Sequence, residues 1–196
     1  VDQPGVPLLQ VASRCVGTAT EVAIQQGRFA GAPKASPPPQ TWAIPVCLKG
    51  GTTAAAQCEV ISKQAAFKVP GCTTDIFVNR GSAGYFVTEY QAANVRGLSL
   101  KAKTVLTPTE RVGFLGDEWW MVRSARHDIG LFLDLAGELA DDKTPAVVNS
   151  VRSRVAFTAE RLAAAAAGPG IAPWIRRKFG PALEQSGVPT RDDDEQ

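Results

Sequence analysis

The hydrophobic periodicity of this chain changes once, just past Tyr90, and that change limits the folds open to it. Before it, apolar residues alternate with polar ones at period two; after it they recur at spacings of three and four. Leu9, Val11, Ser13 and Cys15 share one face, Gly17 supplies a turn, and Val22 and Ile24 continue inward on the way back, as in an antiparallel hairpin. Residues 31–40 hold Pro33, Pro37, Pro38 and Pro39 and read as a loop, because proline cannot donate to a ladder. Trp42, Ile44, Val46 and Leu48 form the next inward row, and the chain returns through residues 57–62. Further strands are expected at 65–69, at 74–79 with Ile76 and Val78 on one face, and at 85–90. The turn from Asn79 to Gly84, rich in residues that accept positive φ, precedes the last of them. Short strands between turn signals describe a small antiparallel β-sandwich over residues 1–92.

Helical sequence follows. Thr107-Pro108-Thr109-Glu110 is a start signal: threonine caps, proline suits the first helical position and glutamate completes a capping box. Val112, Leu115, Trp119 and Val122 then form one stripe, although Gly113 and Gly116 each weaken the helix by about 1 kcal/mol relative to alanine. A second helix is expected over 128–140 with Ile129, Phe132, Leu135 and Leu139 inward. A third begins at Thr144-Pro145, carries Val148, Val151, Val155, Ala159 and Leu162, and stops at Gly168-Pro169-Gly170. A fourth covers 173–179 and is interrupted at Gly180-Pro181. Short loops between helices imply antiparallel neighbours, the start of an α-helical solenoid or bundle-like partial domain over residues 93–196. A truncated solenoid exposes the apolar edge of its last helix, so self-association is expected around Leu162 to Trp174.

Composition narrows the function. The net charge of +2 is too small to point to nucleic acid or an anionic membrane surface, and no apolar run is long enough to span a bilayer. The chain opens at Val1 without a methionine or a charged-then-apolar leader, so a processed N-terminus or an excised piece is expected. All four cysteines, Cys15, Cys47, Cys58 and Cys72, lie in the β-like part. Two disulfides and an oxidising compartment are expected; four buried free thiols are the alternative. If the strands carrying Cys47 and Cys58 are hairpin neighbours, those two sit across from each other, which leaves Cys15 for Cys72.

Catalytic chemistry finds little to work with. A zinc hydrolase of the H-E-x-x-H type needs two histidines, and His127 is the only one. His127-Asp128 stands at an expected helix start, where Asp128 is simply an N-cap. Trp119-Trp120 is either a stacking platform or, the reading adopted here, core and helix-interface packing. Arg176-Arg177-Lys178 is read as a solvated helix face rather than an anion site, and the Asn79–Gly84 turn, lying between strands, is not a phosphate loop. No catalytic, cofactor-binding or metal-binding residue is therefore assigned to this chain.

Several stretches taken in order nevertheless resemble one family. Gln25-Gln26-Gly27-Arg28-Phe29, Trp42-Ala43-Ile44-Pro45-Val46-Cys47, Asn79 with Gly84-Tyr85-Phe86, and Thr109-Glu110-Arg111 with Leu115, Asp117 and Trp119 are similar to the region behind the catalytic domain in zinc aminopeptidases of the aminopeptidase N family. There the corresponding patterns read Q-x-R-F, W-x-I-P-V, N-x-x-x-x-G-Y-Y-R and E-R-x-x-L-L-x-D-x-W. Phe86 and Val87 replace the second tyrosine and the arginine, Phe114-Leu115 replaces a double leucine, and an extra residue separates Gln25 from Arg28. The resemblance supports the Cys47–Cys58 and Cys15–Cys72 pairings through secreted bacterial members. It implies a non-catalytic portion that scaffolds and gates an upstream thermolysin-like domain, which is the partner and the holder of the zinc, in a periplasmic or extracellular setting. A free-standing β-sandwich module binding peptide or glycan is the alternative.

Overall fold

A computed structural model describes residues 4–32, 35, 37–50, 56–163 and 170–185. Among these residues seven strands come first: β1 Pro7–Val16, β2 Ala19–Arg28, β3 Ile44–Gly50, β4 Gln57–Ile61, β5 Gln64–Pro70, β6 Ile76–Phe77 and β7 Val87–Tyr90. Among the described residues five helices follow: α1 Ala92–Val105, α2 Pro108–Arg123, α3 Ile129–Glu138, α4 Pro145–Ala163 and α5 Ala172–Gln185. The strands form one sheet in the order β5-β2-β1-β7 and a second in the order β4-β3-β6.

The alternation dictates how the sheets face each other. Leu9, Val11, Val22 and Ile24 are buried from one sheet, and Ile44, Val46 and Leu48 from the other. Gly17, at φ 60°, and Thr18 make the two-residue turn that sets Val16 opposite Ala19. At Gly50 a Cβ would stand 2.7 Å from Val69 Cγ1 and 2.8 Å from Ile76 Cδ1, so only glycine lets the two layers approach there. Both cysteine pairs are disulfide-bonded: Cys47 lies directly opposite Cys58 in the β3–β4 ladder, and Cys15 at the end of β1 joins Cys72.

The sandwich is not wholly antiparallel. β7 pairs in parallel with β1, Leu8 opposite Val87 and Val11 opposite Tyr90. This pairing needs the long excursion through the second sheet, since parallel strands cannot be joined by a hairpin. The strand expected at 74–79 is only two residues long, and Ile76, Phe77 and Val78 are all buried rather than alternating. Phe114 of α2 packs edge-on against Phe77, so this segment is covered from the helical side as well.

The helices depart from expectation in identifiable ways. α1 is absent from the pattern analysis because its buried face is small and polar: Asn94, Val95, Leu98, Ser99 and Ala102. The polar members are satisfied locally, Asn94 donating to Ser13 Oγ and to the Thr74 carbonyl and Ser99 donating to the Val95 carbonyl. α2 begins as expected, with Thr107 and Glu110 forming a reciprocal capping box. Its fully buried face, however, is centred on Phe114, Leu115, Glu118 and Met121, with Val112, Trp119 and Val122 partly buried beside it. Asp128 caps α3 by accepting from the Gly130 N–H. In α4 the inward face is Val147, Val151 and Val155 with Ser150 and Thr158, so Val148, 40% exposed, turns outward. Val151 and Val155 are inward as expected, while polar Ser150 and Thr158 share their face and Val147 takes the place expected for Val148. α5 runs through Gly180-Pro181 instead of breaking; Pro181, which has no N–H for the carbonyl one turn back, lies exposed, as does Arg177, which bears that carbonyl. The Leu162 side chain and residues 164–169, including Gly168 and Pro169, lie outside the described residues; Trp174 packs, half-buried, against the core.

One connected cluster of buried side chains runs from Leu9 and Ile24 in the sheets through Tyr90 and Phe114 to Phe132 and Val155 in the helices. Replacing Cys47 and Cys58 by serine should lower unfolding stability by about 3 kcal/mol for a sequence separation of 11, and replacing Cys15 and Cys72 by about 4 kcal/mol for a separation of 57. Urea denaturation of the two double variants checks both the magnitudes and their order.

Candidate functional site

Several of the residues that carry the family resemblance meet where the sheets join the helices. Glu110, 1% exposed, sits at the centre. Its Oε1 accepts from the Gly81 N–H at 2.8 Å; its Oε2 accepts from Lys49 Nζ at 2.6 Å and from the Thr107 N–H at 2.7 Å. One carboxylate thus ties β3, the turn over Arg80–Ser82 and the start of α2. Burial alone would push this carboxyl up, but the donors from Gly81, Lys49 and Thr107 outweigh it and hold the group below the usual range. The next residue, Arg111, reaches the other way. Its Nε lies 2.8 Å from Asp142 Oδ2, and it donates to the Leu106 carbonyl and to Thr144 Oγ1, fastening α2 to the α3–α4 connection.

The remaining motif residues are structural too. Gln26 exchanges two hydrogen bonds with the Trp42 backbone and donates to the Ser62 carbonyl, bridging the two sheets. It stands two positions before Arg28, so Gln26-Gly27-Arg28-Phe29 fits Q-x-R-F directly and the extra residue counted from Gln25 is no departure. Asn79 closes its turn by accepting from the Gly84 N–H and donating to the Gly84 carbonyl. Asp117 accepts from the Thr88 N–H, and the buried Tyr90 hydroxyl accepts from the Val78 N–H. Phe86 and Val87 are both buried, and Val87 packs with Leu8 and Met121.

An open trough of about 1050 Å³ lies on the outer face of the four-stranded sheet, beside the α2–α3 turn. Strand register sets Gln64, Gln25, Gln10 and Glu89 side by side across it, with Ala66, Ala23 and Ala12 as a low floor next to them. His127 stands at one end, its Nδ1 2.8 Å from Glu118 Oε2, and Arg126 makes a two-point contact with Glu89. Glu118 is 0% exposed. Burial raises its carboxyl and would lower the histidine, but the Glu118 carboxylate more than compensates and raises the histidine above 6.5. A His–Glu pair can orient an imidazole; among the described residues the trough lining contains no serine, threonine or cysteine beside it.

Other sequence candidates are not drawn into this site. Trp119 packs on Phe132 and Phe157 at 5.1 and 5.7 Å, inside the helical layers. Trp120, 44% exposed, meets Phe29 edge-on. Arg176 and Arg177 are exposed, and Lys178 faces Glu138 at 3.6 Å. Sequence analysis missed Lys49, Glu89, Glu118 and Arg126. The capping box flagged Glu110, but no local pattern announces partners 61 residues away, as Lys49 is.

The chain matches the ERAP1-like C-terminal domain over residues 76–196, from β6 through all five helices. It belongs to that family. No curated protein matches it. The family match is consistent with the C-terminal region of an aminopeptidase N-type peptidase and begins upstream of the Glu110 node. Glu110→Ala should cost about 3 kcal/mol, because Lys49 and two backbone N–H groups then lose their common acceptor. Glu110→Gln should recover part of that. Chemical denaturation of the two variants measures both.

Proposed function

We propose that this chain is the non-catalytic C-terminal portion of a secreted, bacterial-type zinc aminopeptidase, scaffolding and gating an upstream thermolysin-like domain that hydrolyses N-terminal peptide bonds. The observation that carries the reading is the family match, which includes the Glu110-Arg111 pair joining sheet to helices. Such a rigid joint is what a bridge between a catalytic domain and a covering helical layer requires.

The zinc implied by this reading does not fit the described residues of this chain. Among the described residues no group of three or more histidine, cysteine, aspartate or glutamate side chains could hold a metal, and all four cysteines are oxidised. The ion would be held by the upstream domain, so no step of the hydrolysis is derived from these residues. Two disulfides favour an oxidising compartment, and among the described residues no helix is long and apolar enough to cross a membrane. The edge near Trp174 is the proposed surface for self-association; a monomer by light scattering at high concentration would refute it.

The direct test uses the purified chain with fluorogenic aminoacyl amides, with and without zinc. The expected result is no turnover in either case. Metal-dependent turnover by this chain alone overturns the proposal. A second arm adds the upstream domain encoded in the same reading frame: long peptides should be cleaved more slowly relative to short ones when the two parts are joined.

A further inference from the structure

The contact between α2 and β7 holds more acid than its surroundings explain. Asp117 and Glu118 are neighbours on α2, and Glu89 lies on β7. The cations facing them are Arg126, bound to Glu89, and His127, bound to Glu118; Asp128 follows His127 and is engaged with the Gly130 N–H, and Gln10 of β1 faces Glu89 without charge. Among the described residues Glu118 Oε1 is buried with no hydrogen-bond partner and the histidine is that carboxylate's one ionic contact. The turn bearing these cations is itself held tightly. Ala125 adopts φ 57°, uncommon for a residue with a side chain, and the N–H groups of Arg126 and His127 both donate to the Met121 carbonyl.

We propose that this cluster is a pH-responsive latch: protonated His127 fastens the α2–α3 turn to α2 at Glu118 and so holds the neighbouring Arg126 against Glu89 of β7, and loss of protons on the alkaline side loosens the junction between sheet and helices. When the imidazole becomes neutral, Glu118 remains as a buried anion beside Glu89 with no cation of its own. A neutral imidazole can still donate through Nδ1, so the hydrogen bond survives while the compensating charge does not.

The direction follows from which state holds the protons. His127 is raised in the folded chain, so its contribution is fully present below its unfolded value of 6.5 and is lost as pH rises through the higher folded one. Burial pushes Asp117 up to about 8, so the folded chain gives up that proton reluctantly and becomes less favoured as pH climbs from 3.8 toward 8. Glu118 is raised as well and acts in the same sense. Glu89, held below 4.5 by Arg126 and Gln10 despite burial, opposes them only in acid, where its stabilisation is lost. The latch is therefore tightest in mildly acidic solution and opens toward alkaline pH.

His127 is the only histidine, so the imidazole signals of the untagged chain report its titration without assignment. The midpoint should lie above 6.5 and fall in Glu118→Gln; a wild-type midpoint at or below 6.5 overturns the proposal. Hydrogen exchange across about pH 5.5 to 9, corrected for intrinsic rates, reads the opening itself. Protection in β7 and in the turn at 124–128 should drop about tenfold per unit of linked shift, while the β1–β2 hairpin turn stays constant. Glu118→Gln and Asp117→Asn should each flatten that dependence, and His127→Gln should show the weakened state already in mild acid. Corrected protection that does not change with pH in the wild-type chain overturns the latch, and that measurement needs no variant to fold.

Discussion

The carboxylate of Glu110 has three donors from three separate places in the chain, and the architecture turns on it. A helix N-terminus leaves N–H groups without partners, and the capping box uses Glu110 to satisfy one of them. The same side chain then collects Lys49 from the second sheet and Gly81 from the turn before β7. Removing its charge from water is costly, and only full coordination makes that tolerable. Arg111 extends the arrangement by one residue toward Asp142, so two consecutive side chains fix sheets, first helices and the α3–α4 connection in one frame. The continuous core across the junction is the apolar counterpart of that frame.

Much of this was legible where one rule dominated. The β1–β2 hairpin, the β3 row and the starts of α2 and α3 follow from period-two alternation and from local capping chemistry. Misreadings came where burial fell on polar or small residues. α1 hides Asn94 and Ser99, and α4 hides Ser150 and Thr158, so hydrophobicity undercounts both faces. The parallel β1–β7 pair was illegible for another reason: strand direction is set by the route of the chain between its partners, and no residue in either strand encodes it. The site fared similarly. Glu110 is visible in a four-residue pattern, whereas Glu118–His127 and Glu89–Arg126 depend on a turn whose left-handed residue is an alanine.

The family patterns acquire physical meaning once their partners are known. Gln26 bridges sheets, Asn79 closes a turn, Asp117 receives a strand amide, and Glu110-Arg111 join the layers. Each is a buried or half-buried polar group whose loss would orphan backbone donors or acceptors elsewhere. They read as the joints of a frame, in keeping with a family shared over the C-terminal part of aminopeptidases.

The parallel pairing of the first and last strands also carries a mechanical meaning. The chain enters at the start of β1 and leaves for the helices from the end of β7, and these two ends lie at opposite extremities of the same pair. Tension between them loads the inter-strand bonds lengthwise, so they resist together instead of peeling one after another. Met121 of α2 packs on Leu8 and Val87, which face each other across the pair. A displacement at one end is therefore passed on to the other with little stretch, making the sheet a stiff lever rather than a tether.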